Sequence, residues 1–205
     1  MKRLPVDISR LRVQRSQRNE LPINIKPNLR QAQLSGAPLS DAVVCFSRKQ
    51  IIDLECFRPQ VLIGSVEDLQ RLSEHVALGI ADLSSVDHAI LALTRPGEAP
   101  ISDKSRVILW QTFGVPVFEL VTGPKGDVLA ADCEANEGWH LQRNVSTAIC
   151  EGELQILQKG QPPIRTGLTC EIETEACACG RATPRIINVR LCSRADPTTA
   201  LAASA

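Results

Sequence analysis

Three thiols and one imidazole, held in two short stretches well apart in the chain, constrain this sequence more than any other feature. The stretches are ADCEANEGWHL, residues 131–141, and EACACGRATPRI, residues 175–186. The first carries Cys133 and His140, the second Cys177 and Cys179. Such a set is what zinc takes tetrahedrally in a closed structural site, because thiolate and imidazole match its borderline-soft character. A hairpin with Asn136, Glu137 and Gly138 at its tip can bring Cys133 and His140 together. Cys177 and Cys179, one residue apart, face one way on an extended segment, and Gly180 lets the chain turn past an ion. Two other readings stand beside this one. The thiols can be unrelated core residues, since cysteine is among the most buried types. Alternatively, Cys133–Cys177 or Cys177–Cys179 can be a disulfide, although nothing in the chain points to an oxidising compartment.

Four ligands close such a site and leave no open position for a catalytic water. Glu134 and Glu137 lie nearby but read as parts of a solvated hairpin. His75 and His88, the other histidines, have no visible Ser or Cys partner for nucleophilic catalysis. Cys150, which follows an apolar strand residue, and Cys170, which alternates with Glu171, read as packed thiols, with one of them able to stand in for a ligand.

The 205 residues carry 23 basic and 23 acidic side chains, so no global field recruits nucleic acid or membrane. Four Phe, two Trp and no Tyr argue further against a base-stacking nucleic-acid surface. No run of apolar residues is long enough to span a bilayer, and the N-terminus lacks a signal-like apolar region, so the cytoplasm is the expected location. Residues 1–40 read as a basic arm. Lys2, Arg3, Arg10, Arg12, Arg15, Arg18, Lys26 and Arg30 face only Asp7 and Glu20 in its first thirty positions, and Pro5, Pro22 and Pro27 interrupt any helix. A surface-lying arm and a segment that docks on a protein partner both fit.

Residues 41–125 alternate between helical and strand patterns. Ile51 to Phe57 suits a short helix, Val61 to Gly64 a strand, and Ser65 caps a helix that Gly79 stops. His88 to Leu93 reads as a second strand, Ser102 opens a helix closed by Gly114, and Val115 to Val121 is a third strand. Strands separated by such helices imply right-handed crossovers and a small parallel sheet. Residues 126–192 change texture to short apolar runs broken by Gly and charge, which predicts an antiparallel, metal-bearing β region. Residues 193–205 read as a flexible tail. The fold class is therefore α/β.

The pair DCEANEGWHL and CACGRATPRI resembles the zinc-bearing part of phenylacetate–CoA ligase-like proteins, a branch of the AMP-forming acyl-CoA ligases. The resemblance runs from about Phe57 to Val189 and includes PQVLIGSVEDL, RPGEAP and FGVPVFEL upstream. It implies part of the large adenylating domain, with a structural zinc and a relic acyl or aryl pocket near Glu98, Arg165, Thr166 and Gly167. Several elements of the family's pattern are replaced. Its Ser/Thr/Gly-rich phosphate loop would precede the matched segments, where this chain is rich in Arg, Pro and Gln. Its tyrosine–glycine–threonine–glutamate motif, which helps hold magnesium, falls on Val121 to Lys125, so lysine stands where a carboxylate is needed. Its ribose-binding aspartate falls on Leu168, which cannot accept a hydrogen bond. The lid domain with the family's catalytic lysine would begin where this sequence stops. The resemblance thus implies a non-catalytic, zinc-stabilised remnant acting in binding or assembly. Its alternatives are a ligase part completed by another chain, and a sensor of acyl or aryl ligands.

Overall fold

The computed structural model describes residue 25, residues 28–181 and residues 183–192. The basic-arm positions 1–24, 26 and 27 and the expected tail from residue 193 onward lie outside the described residues.

In chain order the strands are β1 (Gln31–Leu34), β2 (Val43–Phe46), β3 (Val61–Ser65), β4 (Ala89–Thr94), β5 (Val117–Thr122) and β6 (Val128–Ala131). They are followed by β7 (Trp139–Leu141), β8 (Val145–Cys150), β9 (Glu153–Gln158), β10 (Ile164–Arg165), β11 (Leu168–Glu173) and β12 (Arg185–Leu191). The helices are α1 (Ile51–Phe57), α2 (Val66–Ala77) and α3 (Asp103–Phe113). Nine strands form one sheet in the order β11-β12-β7-β6-β5-β4-β3-β1-β2, and β10-β9-β8 form a second. The sheet is parallel from β2 to β5 and antiparallel from β5 onward.

Two features differ from the expectation. The parallel strands and the antiparallel strands expected to bear the metal are halves of one continuous sheet, because β6 returns against β5 through the Gly123–Gly126 turn (Gly123 N–H to Asp127 C=O, 2.7 Å; Gly126 N–H to Gly123 C=O, 3.0 Å). Residues 31–34, inside the stretch read as the arm, are instead a buried strand beside β3. Gln33 is fully enclosed there. Its side-chain amide donates to the Ser35 and Ala37 carbonyls (3.1 and 2.7 Å), and its Oε1 accepts from the Leu39 N–H (3.1 Å). Those bonds satisfy the polar group that makes the strand hard to read.

The helices start as their capping residues dictate. Ser65 accepts from the Asp68 N–H at the head of α2, and Ser102 from the Ser105 N–H at the head of α3. Gly114, at φ +69°, closes α3 in the left-handed conformation. All three helices pack on one face of the parallel half, where Leu54, Leu69, Leu72 and Leu109 meet Leu62 and Ile90. The second sheet packs on the antiparallel half, where Leu154 and Ile156 meet Val121, Ala130, Trp139, Leu168 and Ile186. Among the described residues no helix is long and apolar enough to cross a membrane.

Candidate metal centre

The hairpin β6–β7 places Cys133 and His140, the two candidate ligands on its arms. Beyond Ala131 the chain leaves the sheet, and the Asn136 N–H bonds back to the Cys133 carbonyl (2.9 Å), with Asn136 itself left-handed at φ +51°. Gly138 sits at φ +114°, where a Cβ would lie 2.6 Å from the Ile186 carbonyl oxygen and 2.7 Å from the Ile187 side chain. Only glycine lets the hairpin approach β12 this closely. The seam it makes is short: Arg185 pairs with His140 and Ile186 with Trp139.

On the opposite side residues 177–181 form a compact turn. The Gly180 N–H donates to the Cys177 carbonyl (2.9 Å) and the Cys177 N–H to the Arg181 carbonyl (3.1 Å). The ligand atoms of Cys133, His140, Cys177 and Cys179 thereby lie within 4.8 Å of one another. Cys133 and Cys177 Sγ are 3.5 Å apart, and Cys179 Sγ is 3.5 Å from His140 Nε2. His140 turns its other nitrogen, Nδ1, to the Thr183 hydroxyl at 2.9 Å. That contact fixes the ring and leaves Nε2 as the nitrogen facing the thiols, the arrangement expected around a metal-ligating histidine.

The electrostatics suit a neutral imidazole beside the thiols. Burial, with the nearby Arg181 and Arg185 charges, holds His140 below the usual imidazole value. Burial pushes the Cys177 thiol up to about 11, against the opposing N–H of Cys179. For Cys179 burial is the largest single influence and acts upward, but the Arg181 N–H, the Cys177 and Cys133 thiols and the Arg181 charge together outweigh it, and the thiol lies below its ordinary value. Crowded, buried thiols of this kind release their protons when a divalent cation supplies the missing charge. Glu137 closes the rim. Its carboxylate accepts from Arg185 (2.7 Å) and the Ala178 N–H (3.3 Å) and sits 3.6 Å from Cys177 Sγ. The donor set, its enclosure and the oriented imidazole all fit a tetrahedral zinc ion.

Behind the centre lies a buried ionic network that the sequence reading missed. Glu119 on β5 accepts from the Ile101 N–H (2.9 Å), the Thr94 hydroxyl and Trp139 Nε1 (3.1 Å). Asp132, next to Cys133, accepts from the Glu119 N–H (2.8 Å) and Arg106 (2.7 Å). Burial raises both carboxyls above their ordinary values, while Arg106 opposes this. A glutamate in the middle of the apolar run VFELV was the available signal.

Hydrogen bonds tie the expected relic-pocket residues to neighbouring segments. The Gly97 N–H donates to the Thr166 carbonyl (2.7 Å), joining the RPGEAP loop to the Arg165–Gly167 segment. Glu98 accepts from its own loop's Arg95 N–H, Arg165 pairs with Glu153, and the Thr166 hydroxyl donates to the Leu154 carbonyl. The Gly167 N–H donates to Glu153 (2.9 Å). A cavity of about 360 Å³ lies at the carboxyl ends of β1, β4 and β5, lined by Gln33, Leu39, Leu93, Arg95, Pro96 and Lys125 among others. Of the remaining cysteines, Cys150 is exposed at the β8–β9 hairpin rather than packed, because its strand is a solvent-facing edge of the small sheet. Cys170 is half-buried.

No known family profile and no curated protein matches the chain. Solved structures do match. A 2-hydroxyisobutyryl-CoA ligase, crystallised with 2-HIB-AMP and CoA, aligns with a TM-score of 0.64 at 14% identity, over 80% of this chain and 45% of the ligase. Coronafacic acid ligase from Pectobacterium brasiliense gives 0.54 at 13% identity, over 79% and 40%. An amide bond synthetase from Marinactinospora thermotolerans gives 0.52 at 17% identity, over 82% and 42%. The chain thus has part of the adenylate-forming ligase fold and spans less than half the length of these enzymes.

Proposed function

We propose that this chain is a zinc-stabilised relative of the adenylating domain that has given up the chemistry and serves as a binding or assembly subunit. The observation that carries this reading is Leu168. The resemblance assigns its position to a ribose-binding carboxylate. Here the side chain is 1% exposed and packs with Leu154, Ile156 and Ile186 between the two sheets. An anion at that point would be desolvated inside an apolar cluster. Lys125, assigned to the magnesium carboxylate, brings a positive charge to the turn after β5. Cys133, His140, Cys177 and Cys179 meanwhile retain every donor that zinc requires, so they hold the fold together and leave no open coordination position.

Titration calorimetry with ATP–magnesium and a panel of aryl and aliphatic acids, run beside a pyrophosphate-release assay and metal analysis, tests this. About one zinc per chain with neither ATP binding nor pyrophosphate is the expected result. ATP binding coupled to pyrophosphate release overturns it. Activity that arises only in a co-purified complex would identify the chain as a ligase part completed by another polypeptide.

A second reading, a sensor of acyl or aryl acids, is favoured by the cavity at the strand ends. The parallel order β2-β1-β3-β4-β5 reverses direction between β1 and β3, and ligands of open α/β sheets settle outside the carboxyl ends near such a reversal. Leu39, Leu93 and Pro96 offer an apolar floor, with Arg95 and Lys125 as cations for a carboxylate. A thermal-shift screen with aromatic acids and acyl-CoAs tests it, and a flat response removes it.

A further inference from the structure

The two sheets end in the edge strands β2, β11, β10 and β8. Folded proteins keep such edges from pairing with other chains by making them short, charged, kinked or covered. Three of these edges are protected in that way. β2 has four residues and β10 two. β11 carries Glu171 and Glu173 and a register shift between Thr169 and Glu171. β8 has none of these devices. Its six residues, VSTAIC, hold no charge and no proline, and they pair with β9 without a register shift. Among the described residues no strand lies beyond it. Ser146 and Cys150 are exposed, and Ile149 is 51% exposed. The hairpin fixes which backbone groups face outward. Cys150 pairs with Glu153 across the turn Glu151–Gly152, whose residues both have positive φ (52° and 79°). Such a closing pair exchanges both its hydrogen bonds, and the ladder alternates from there. Ser146 and Ala148 therefore bond to β9, while the N–H and C=O of Thr147 and Ile149 and the C=O of Val145 point away from it.

We propose that β8 pairs antiparallel with β8 of a second copy of this chain, about a twofold axis at Thr147, so that the two small sheets become one. The strand is complementary to itself in that register. Thr147 lies opposite Thr147 of the second copy, and Val145 opposite its Ile149, so the outward backbone groups of each strand meet those of the other. These facing side chains are all β-branched, a kind of cross-strand pair that stabilises sheets. Ile149 thereby gains an apolar neighbour in place of water. Reversal of the strand also brings Glu151 of one copy toward the Arg143 end of the other, which sets opposite charges at both ends of the seam. With 23 basic and 23 acidic side chains, no net charge keeps the copies apart. β8 holds none of the four candidate metal ligands, so the pairing is independent of the function proposed above.

The test reads self-association of the full-length chain by sedimentation velocity from about 1 to about 200 μM, and amide exchange residue by residue by NMR. Four proteins are compared: the unaltered chain, Ile149→Lys, Thr147→Pro and Ile80→Lys. Ile149→Lys puts a charge on the seam, and Thr147→Pro deletes an outward N–H that β9 does not use. Ile80→Lys makes the same exchange at a 60% exposed residue in the loop after α2. The unaltered chain and Ile80→Lys should form dimers, and the two β8 variants should dimerise at least about tenfold more weakly. In the unaltered chain the Thr147 and Ile149 amides should exchange about tenfold more slowly as the dimer fills, while Ser146 and Ala148 stay unchanged. Should Thr147→Pro fail to fold, Ile149→Lys decides alone. A monomer at every concentration overturns the proposal, as does a dimer that both β8 variants keep. Protection of Thr147 and Ile149 in a monomer overturns it too, since the chain's own residues then cover the edge. So does growth into open-ended aggregates, or loss of the dimer with Ile80→Lys alone.

Discussion

Replacing Gly138 by alanine separates backbone strain from damage to the metal centre. The residue sits at φ +114°, a conformation that costs a residue with a Cβ about 1–2 kcal/mol. The new methyl would also stand 2.6 Å from the Ile186 carbonyl oxygen and 2.7 Å from Ile187 Cγ2. A backbone oxygen inside a strand cannot yield alone, so β7 must part from β12. That seam is two residue pairs long, and losing its hydrogen bonds adds about 2–3 kcal/mol at roughly 1 kcal/mol per bond. The expected total is about 3–5 kcal/mol. His140 lies two residues on, so zinc affinity should fall about ten- to a hundredfold, as when a metal ligand loses its orienting contacts. Gly152→Ala is the control. It too has positive φ, +79°, but nothing lies within 4 Å of where its methyl would stand, so strain alone applies. Urea unfolding of both variants, with competition against a chromophoric zinc chelator, reads the two effects. Equal destabilisation in both, or unchanged zinc affinity in Gly138→Ala, would refute the close approach of hairpin and strand as the reason for glycine there.

Three further outcomes are expected. Cys177→Ser, or exhaustive chelation of the unaltered chain, should lower stability by several kcal/mol, because the free energy of binding a structural zinc is folding free energy; an unchanged melting temperature contradicts the metal assignment. Glu119 and Asp132 bind protons more tightly folded than unfolded, so their contribution is complete below the unfolded carboxylate range and is lost as pH rises through their folded values. Glu119→Gln should therefore flatten the fall in stability above that range, measured by denaturation at several pH values, and an unaltered slope would count against a raised Glu119. Leu168→Asp should cost several kcal/mol without gaining ATP binding, since it buries a charge among apolar side chains; nucleotide binding by that variant would show the site to be open.

Local chemistry made much of this molecule readable. Ser65 and Ser102 cap their helices, Gly114 ends one, and the apolar runs from Val61, His88 and Val115 lie within or beside strands because their side chains face cover on both sides. The four candidate ligands were visible because thiol and imidazole at hairpin spacing have few other uses. Long-range pairing was not visible. Nothing in β6 or β12 announces that the antiparallel strands extend the parallel sheet rather than stand apart. Strand β1 escaped notice because Gln31 and Gln33 look like surface residues, and only the Ser35–Leu39 loop folding back on Gln33 makes its burial tolerable. Cys150 misled for the converse reason: it ends an apolar-looking run that lies at an edge.

The shortness of the β7–β12 join has a mechanical consequence. Strands β11 and β12 pair with each other along most of their length, yet β12 grips the rest of the sheet through two residues. Tension applied at Cys192 would run along β12 and arrive at that join, beside which Cys177 and Cys179 face Cys133 and His140. A metal held there would act as a rivet across the weakest row of stitches, and a chain without it should tear first between these strands while the five parallel ones stay whole.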